Sequence, residues 1–386
     1  MPKEQKQKRL KKEEETLPSP PDNPRQCHFW VKQHLASDPN QTQRERIPCP
    51  YDTSHTVYKD ELEKHLAQKC NSRPKPNPPY FSLNVNCTLP PSSDLVTEEK
   101  ITLSELSKEA LDSLIDNVNY WYQNFVPKNF ETLILDHEVV KERKKEIIIN
   151  SKHVDQQASL LGHMARLKLL QPDGCFIEFG CGKGELSYFT KLAIKDESNS
   201  VSFLLIDRKN TRGKFDGGIR ETGSSKLPVL RIGMDIKDLD LSKLDFIKNK
   251  KIIAYSKHLC GSATDVTLKS LVNYSKLNKN ENSIIGIIIA LCCHQLCQYH
   301  MYPNHQYLED IGITNNDFKR ICTMSSWAIC LDHSSREALG YKCKRIIDYG
   351  RFKYLQESGF DVELIYYVES STSLENLALM AVPRND

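Results

Sequence analysis

Cys49, His55, His65 and Cys70 follow one another with the spacing C-x5-H-x9-H-x4-C. Two thiolates and two imidazoles make a tetrahedral donor set suited to Zn2+, and the segment around them holds too few apolar residues to fold without metal. Further along, Glu178, Gly180, Gly182 and Gly184 occupy alternate positions of one short stretch. Glycines there permit a sharp turn out of a strand and let backbone approach a ligand with no Cβ in the way. Asp207 and Asp235 each follow an apolar run, where a carboxylate can accept hydrogen bonds from sugar hydroxyls or an exocyclic amine. Two later segments, Lys257-His258-Leu259-Cys260-Gly261-Ser262-Ala263-Thr264-Asp265 and Leu291-Cys292-Cys293-His294, are dense in titratable groups. Lys257, His294 and His258 are candidate proton acceptors, with Lys257 and His294 ranked first, and Asp265 could orient whichever acts.

These residues need a scaffold, and the apolar runs supply one. Phe176–Phe179, Ser202–Ile206, Val229–Ile232, Ile252–Tyr255 and Ile284–Ala290 are nearly unbroken apolar, as parallel strands buried on both faces should be. Asp361–Val368 and Leu377–Val382 are separated by a turn too short for a crossover helix, so they should pair antiparallel. Amphipathic helices carrying Leu103, Leu106, Ala110 and Leu114, and then Leu160, Met164 and Leu167, should lead into this sheet and cover it. Ligands of such sheets bind at the carboxyl ends of strands where strand order reverses, which is where the glycines and both aspartates fall. The order E-x-G-x-G-x-G resembles the opening motif of S-adenosylmethionine-dependent methyltransferases. In the dinucleotide pattern G-x-G-x-x-G the third glycine falls one position later, which argues against NAD. The fold class expected is α/β: a Rossmann-like class I methyltransferase, seven-stranded with an antiparallel terminal hairpin, plus a small N-terminal zinc finger.

The chain has 386 residues, 39% hydrophobic and 27% charged, enough for one domain of roughly 200–250 residues and an appendage. Domains are expected as a disordered tail over 1–25, the finger region over 26–72, a Pro-rich linker over 73–100, and a helical lead-in with the catalytic domain over 101–386. No stretch approaches the roughly 20 apolar residues that cross a bilayer, and no secretory leader is expected. Thirteen cysteines then point to a reducing compartment, cytoplasmic and/or nuclear. The net charge of +3 is mild, but lysine and arginine gather at Lys141–Lys145, Arg208–Lys214 and Lys342–Arg351. Cys292, Cys293, His294, Cys297 and His300 could bind a metal. The adjacency of Cys292 and Cys293 speaks against it, and a substrate-facing loop is the favoured reading.

The matches through Glu178–Ser187, Lys257–Asp265, Ala290–His294, Met324-Ser325-Ser326-Trp327 and Ser373-Leu374-Glu375-Asn376 resemble the eukaryotic tRNA 2′-O-methyltransferases that modify nucleotide 4 of the acceptor stem. The C-x5-H-x9-H-x4-C segment resembles their CHHC finger, with its last spacing one residue longer than expected. A preceding CCCH finger is usual in that family; here only Cys27 and His34 stand where its ends would be, so no first zinc site is expected. The resemblance implies methyl transfer to a ribose 2′-hydroxyl, S-adenosyl-L-methionine as donor, Zn2+ in the finger, and the tRNA acceptor stem as partner. It also implies that Glu178 and the glycines face the amino-acid half of the donor, Asp207 the ribose, and Asp235 the adenine. Alternatives are a related methyltransferase acting on another RNA or on protein, and an inactive RNA-binding adaptor.

Overall fold

The computed structural model describes residues 44–70, 72, 77–90, 102–140, 145, 152–194, 200–209, 211, 213–222, 225–277, 283–329 and 335–384. The expected tail, Cys27 and His34, residues 73–76 and 91–100 of the expected linker, Lys141 and Arg212 lie outside the described residues. The chain divides into two compact units between Pro76 and Asn77. In the first, β1 (Arg46–Cys49) pairs antiparallel with β2 (Asp52–Tyr58), and a turn of helix at Leu62–Lys64 follows. Among its described residues the buried apolar ones are Cys49, Val57 and Cys70, a core far too small to hold a fold alone.

The second unit is built on one sheet. Its strands are β3 (Glu131–Thr132), β4 (Gly174–Phe179), β5 (Ser202–Ile206), β6 (Val229–Ile232), β7 (Lys251–Cys260), β8 (Ile284–Cys292), β9 (Phe360–Tyr366) and β10 (Leu377–Pro383). Their order is β3-β9-β10-β8-β7-β4-β5-β6. The strands β4 to β8 pair parallel, and β10 runs antiparallel between β8 and β9. Eight strands stand where seven were expected, because the two-residue β3 adds to the outer side of β9. Such a short, exposed strand has no apolar run to announce it. Chain direction across the sheet reverses between β4 and β7, which opens the crevice above their carboxyl ends.

Alternation along the strands feeds two cores. Phe176, Phe203, Ile253 and Tyr255 face one side with α2 (Lys152–Arg166) and α3 (Glu185–Ala193). Ile177, Leu204, Ile252 and Ala254 face the other with α4 (Ser262–Leu277). Each fully buried aliphatic or aromatic side chain is worth about 1.5–3 kcal/mol, so this double-sided burial dominates the unit's stability. A third cluster joins α1 (Lys108–Phe125), α5 (Asn315–Ser325) and α6 (Ser335–Glu357) through Leu114, Val118, Trp121, Phe318, Ile321 and Ile346. The first expected helix is interrupted: Thr102 and Glu105 form a capping box on a short 3-10 turn, the chain extends at Leu106, and Ser107 caps α1 anew.

The expected linker is no linker over residues 77–90. Phe81 bridges Leu239, and the buried Asn86 Nδ2 donates to the carbonyls of Ile236 and Leu239, each at 2.7 Å. The Thr88 amide donates to the His300 carbonyl at 2.9 Å. Prolines steer this segment away from helix and strand, yet its polar groups satisfy loop carbonyls of the catalytic unit. Among the described residues no helix is long and apolar enough to cross a membrane.

Helix α6 passes so close to the 3-10 turn Ser326–Ile329 that a Cβ on Gly340 would lie 2.3 Å from Ala328 N and 2.9 Å from Trp327 C. Both are backbone atoms and cannot swing aside. Gly340→Ala should therefore lower stability by about 1–3 kcal/mol, read as a lower urea midpoint with unchanged slope.

Candidate active site and metal centre

The turn after β4 is shaped by three left-handed glycines, Gly180 at φ +64°, Gly182 at φ +50° and Gly184 at φ +83°. A Cβ at Gly180 would stand 2.9 Å from the His258 carbonyl, so β4 and β7 can approach this closely only at a glycine. Gly184 then caps α3. The loop is held from both sides. The Gly182 amide donates to Asp207 Oδ2 at 2.8 Å, and the Lys209 amide donates to Oδ1 at 2.7 Å. From β6, Arg231 Nη1 donates to the Gly182 carbonyl at 2.9 Å while its guanidinium grips Asp216 through two hydrogen bonds.

Around this loop lies a cavity of about 630 Å³, lined by Glu178, the glycine turn, Asp207, Asp235, Lys257 and His258 among others. Glu178 is buried and accepts hydrogen bonds from the Ser187 amide and hydroxyl, and the Ser187 hydroxyl also meets Tyr255 Oη at 2.6 Å. Burial pushes the Glu178 carboxyl up to about 7, with Ser187 and the more distant Arg231 and Lys257 opposing. Asp235 caps a 3-10 turn through the Lys237 amide at 3.1 Å and stands 3.5 Å from Arg208. Both aspartates thus keep lone pairs for a ligand while already holding local backbone.

Lys257 sits at the carboxyl end of β7 and lines the cavity, with Nζ 3.4 Å from His153 Nδ1. Burial pushes its ammonium down from the ordinary range, against the carboxylates of Glu185 and Glu178. His258 shares the cavity wall, but its two ring nitrogens face thiols, Cys260 Sγ at 3.4 Å and Cys292 Sγ at 3.5 Å.

His294 and Asp265 are not in the cavity. His294 is 1% exposed, and its Nε2 donates to Asp348 Oδ1 at 2.6 Å. Arg351 Nε donates to Asp265 Oδ1 at 2.8 Å and its Nη1 to Asp348 Oδ1 at 3.2 Å. Burial alone would push the Asp348 carboxyl up, but His294, Arg345 and Arg351 outweigh it and hold the group well below the usual range. Burial pushes Asp265 up despite Arg351. These two site candidates are therefore corrected: they belong to a buried ionic network between α4, α6 and the turn after β8. The physical cause is Cys293, whose left-handed backbone (φ +51°) rotates His294 inward. The basic run at Lys342–Arg351 joins the same correction, since Lys344, Arg345 and Arg351 are buried rather than presented to solvent.

Three residues went unread in the sequence: Gln157, which lines the cavity, His153, which meets Lys257, and Arg231, which braces the glycine turn. Gln157 and His153 come from α2, where they look like polar interruptions of an amphipathic helix. Arg231 offered a signal, a lone arginine within the apolar strand Val229–Ile232. Gln157 Nε2 donates to Glu185 Oε2 at 3.1 Å, while its Oε1 is buried with no hydrogen-bond partner among the described residues. An orphaned carbonyl in the same cavity as the buried Glu178 carboxylate suits a cationic ligand carrying N–H donors. S-adenosylmethionine, with its ammonium, sulfonium and ribose hydroxyls, fits this donor and acceptor set.

The four finger ligands converge. Cys49 Sγ lies 3.6 Å from Cys70 Sγ, His55 Nε2 3.1 Å from His65 Nε2, and His65 Nε2 3.3 Å from Cys49 Sγ. A tetrahedron with zinc–ligand bonds of roughly 2.0–2.3 Å has edges of about 3.3–3.8 Å, so the four atoms outline a zinc site. The long last spacing is absorbed by a five-residue π-helical stretch, His65–Lys69, in which the Cys70 amide donates to the His65 carbonyl at 2.7 Å. One residue more per turn is what that geometry takes in.

The chain matches the family model described as "Methyltransferase TRM13" over residues 155–336 and 330–382, and that of the "U11-48K-like CHHC zinc finger" over residues 46–71. It is 38% identical over 391 residues to "tRNA:m(4)X modification enzyme TRM13" of Scheffersomyces stipitis, covering 89% of this chain and 90% of that one. To the "tRNA:m(4)X modification enzyme TRM13 homolog" of Mus musculus it is 32% identical, covering 91% of this chain and 89% of that one. The solved structure of SAH-bound methyltransferase PaMTH1 from Podospora anserina aligns at 10% identity and TM-score 0.33, covering 72% of this chain and 97% of that one.

Two outcomes follow from the geometry. Glu178 must be ionised to attract a cationic donor, and in the free protein it takes up a proton as pH falls through about 7. Between pH 8 and pH 6 the ionised fraction drops roughly tenfold, and S-adenosylmethionine affinity measured by calorimetry should weaken accordingly. Glu178→Gln should bind weakly and lose that pH dependence. In the same free protein the native state binds more protons than the unfolded chain between about 4.5 and 7, so this group's contribution to stability falls as pH rises through that window. For the finger, Cys49→Ser/Cys70→Ser should make residues 44–70 protease-sensitive while donor binding by the catalytic unit persists.

Proposed function

Because the chain belongs to the TRM13 methyltransferase family, we propose that it transfers a methyl group to the ribose 2′-hydroxyl of nucleotide 4 in a tRNA acceptor stem. The observation that carries the chemical part is Lys257, standing in the same cavity as the glycine turn and Asp207. S-adenosylmethionine supplies an electrophilic methyl on a positively charged sulfur. Asp207 and Asp235 hold the nucleoside end of the donor, while Glu178 and Gln157 Oε1 hold its cationic end. Lys257 Nζ holds the attacking 2′-oxygen in line and takes its proton. His258 is engaged by thiols on both ring nitrogens and His294 by Asp348, which leaves Lys257 for this task.

A ribose target in a duplex suits a shallow approach. A-form RNA displays its 2′-hydroxyls in a wide minor groove, so a stem nucleotide reaches the cavity mouth without being flipped. Arg208 and Lys209 line the cavity, and with Lys214 nearby in sequence they can neutralise backbone phosphates. The finger's role in this reading is to help position the stem by its backbone shape.

The test is incubation of the full chain with labelled S-adenosylmethionine and unmodified total tRNA, followed by mapping of the labelled nucleotide. Label should appear on the 2′-oxygen of nucleotide 4. Lys257→Met should lower kcat by roughly 100-fold or more while donor affinity stays within a few-fold. Label on a base, on another RNA or on protein would overturn the substrate assignment, and full turnover by Lys257→Met would remove Lys257 from the chemistry.

A further inference from the structure

We propose that His258, Cys260, Cys292 and Cys293 form a second zinc site, separate from the finger and clamping the carboxyl ends of β7 and β8. Cys260 is the direct cross-strand partner of Cys292 in the parallel pair. His258 lies two residues before Cys260 on β7, hence on the same face of the sheet. His258 Nε2 stands 3.4 Å from Cys260 Sγ and its Nδ1 stands 3.5 Å from Cys292 Sγ, and one ligand atom from each of the four residues falls within 4.8 Å of all the others. A tetrahedral zinc centre has edges of about 3.3–3.8 Å, and one of the two imidazole separations is such an edge, since they run to different ring nitrogens.

The fourth ligand is the informative one. Consecutive residues of a strand point to opposite faces, so Cys293 should diverge from Cys292. Instead Cys293 adopts φ +51° and ψ 44°, the left-handed region that a non-glycine residue occupies only when its surroundings demand it. That turn brings its sulfur to the cluster. The adjacency that argued against metal in this segment is thereby answered, and the donors differ from the set weighed there: His258 and Cys260 replace His294, Cys297 and His300. A close approach of the two loops supports the clamp, since a Cβ at Gly261 would lie 2.6 Å from Leu296 C and 2.9 Å from the Cys293 carbonyl.

Three thiols and one imidazole bind Zn2+ with release of three protons, leaving the centre with a net charge of −1. Four protein ligands close the coordination sphere, so the site is structural and leaves no position for a water or substrate. Sulfur-rich tetrahedral donors favour zinc over hard cations such as Mg2+. Its place matters because His258 and Cys260 line the donor cavity and Lys257 is the preceding residue. The site thus fixes the wall from which Lys257 reaches the substrate, whatever that substrate is.

Zinc content decides it. The full chain, purified under reducing conditions, is assayed by mass spectrometry for zinc per chain, alongside Cys260→Ser/Cys293→Ser and Cys49→Ser/Cys70→Ser double variants. Each pair should lose one equivalent, and the losses should add. Should the first pair fail to fold, Co2+ reconstitution of the Cys49→Ser/Cys70→Ser variant supplies the second readout: a strong thiolate-to-cobalt band is expected from the intact cluster. A variant lacking the finger cysteines that carries no zinc and gives no such band would overturn the proposal. So would unchanged zinc in a folded Cys260→Ser/Cys293→Ser variant, or a Cys260–Cys292 disulfide in the purified chain.

Discussion

The clamp on Gly182 is the constraint from which the catalytic unit takes its form. Its amide is claimed by Asp207 at the end of β5 and its carbonyl by Arg231 within β6. A glycine turn left to itself would sample many backbone states, because each glycine loses more conformational freedom on ordering than any other residue. Here the backbone of one residue is tied to two neighbouring strands at once, and Asp216 keeps Arg231 in place through a two-pronged contact. The turn is therefore preorganised, and the cost of ordering it is met during folding rather than during ligand binding. Asp207 serves both purposes, shaping the loop with two backbone donors and retaining lone pairs directed at the cavity.

Charge is handled in two contrasting ways on either side of the sheet's carboxyl edge. Within the cavity, acidic and carbonyl groups are left incompletely satisfied: Glu178 is buried and raised, and Gln157 Oε1 has no partner among the described residues. These groups are poised for a cation. Behind the turn after β8, Asp348 and Asp265 pair with Arg345, Arg351 and His294, while Asp265 Oδ2, His294 Nδ1 and Arg345 Nε have no hydrogen-bond partner among the described residues. Removing one member of such a network strands a buried charge, at a cost of about 3–5 kcal/mol, whereas a catalytic acid or base must change protonation cheaply. That magnitude separates the structural His294 from the accessible Lys257 more firmly than their similar placement in sequence.

Much of the architecture could be read from the residues alone. The five parallel runs, the terminal pair and the glycine turn rest on local pattern, and strands buried on both faces leave an apolar signature that does not depend on context. The finger was legible for a similar reason, because ligand spacing encodes its geometry, including the extra residue taken up at His65–Lys69. What escaped were matters of orientation. His294 looked like a base because it follows a strand end, yet its direction is set by the backbone of the preceding residue and by Asp348, 54 positions away. Gln157 reaches the cavity, His153 meets Lys257 and Arg231 braces the glycine turn only through packing of α2 and β6 onto the sheet. Residues 77–90 read as linker because prolines suppress regular elements, and proline content says nothing about whether an extended segment finds carbonyls to bind.

The left-handed turn at Cys293 links these observations. Had β8 continued as regular strand, Cys292 and His294 would share one face and Cys293 the other, placing His294 beside Cys260. By rotating the chain, Cys293 sends its own sulfur toward His258 and Cys260 and delivers His294 to Asp348 beneath. The same turn starts the 3-10 segment His294–Leu296, after which Leu296 and Gln298 reach the cavity rim. The wall carrying Lys257 is thereby pinned above by sulfur and imidazole and below by an ionic network. A side chain that must hold an oxygen in line with a departing methyl tolerates displacements well under 1 Å, roughly the scale at which positioning errors erode rate. One strained residue answers that demand by anchoring the strand end at two places.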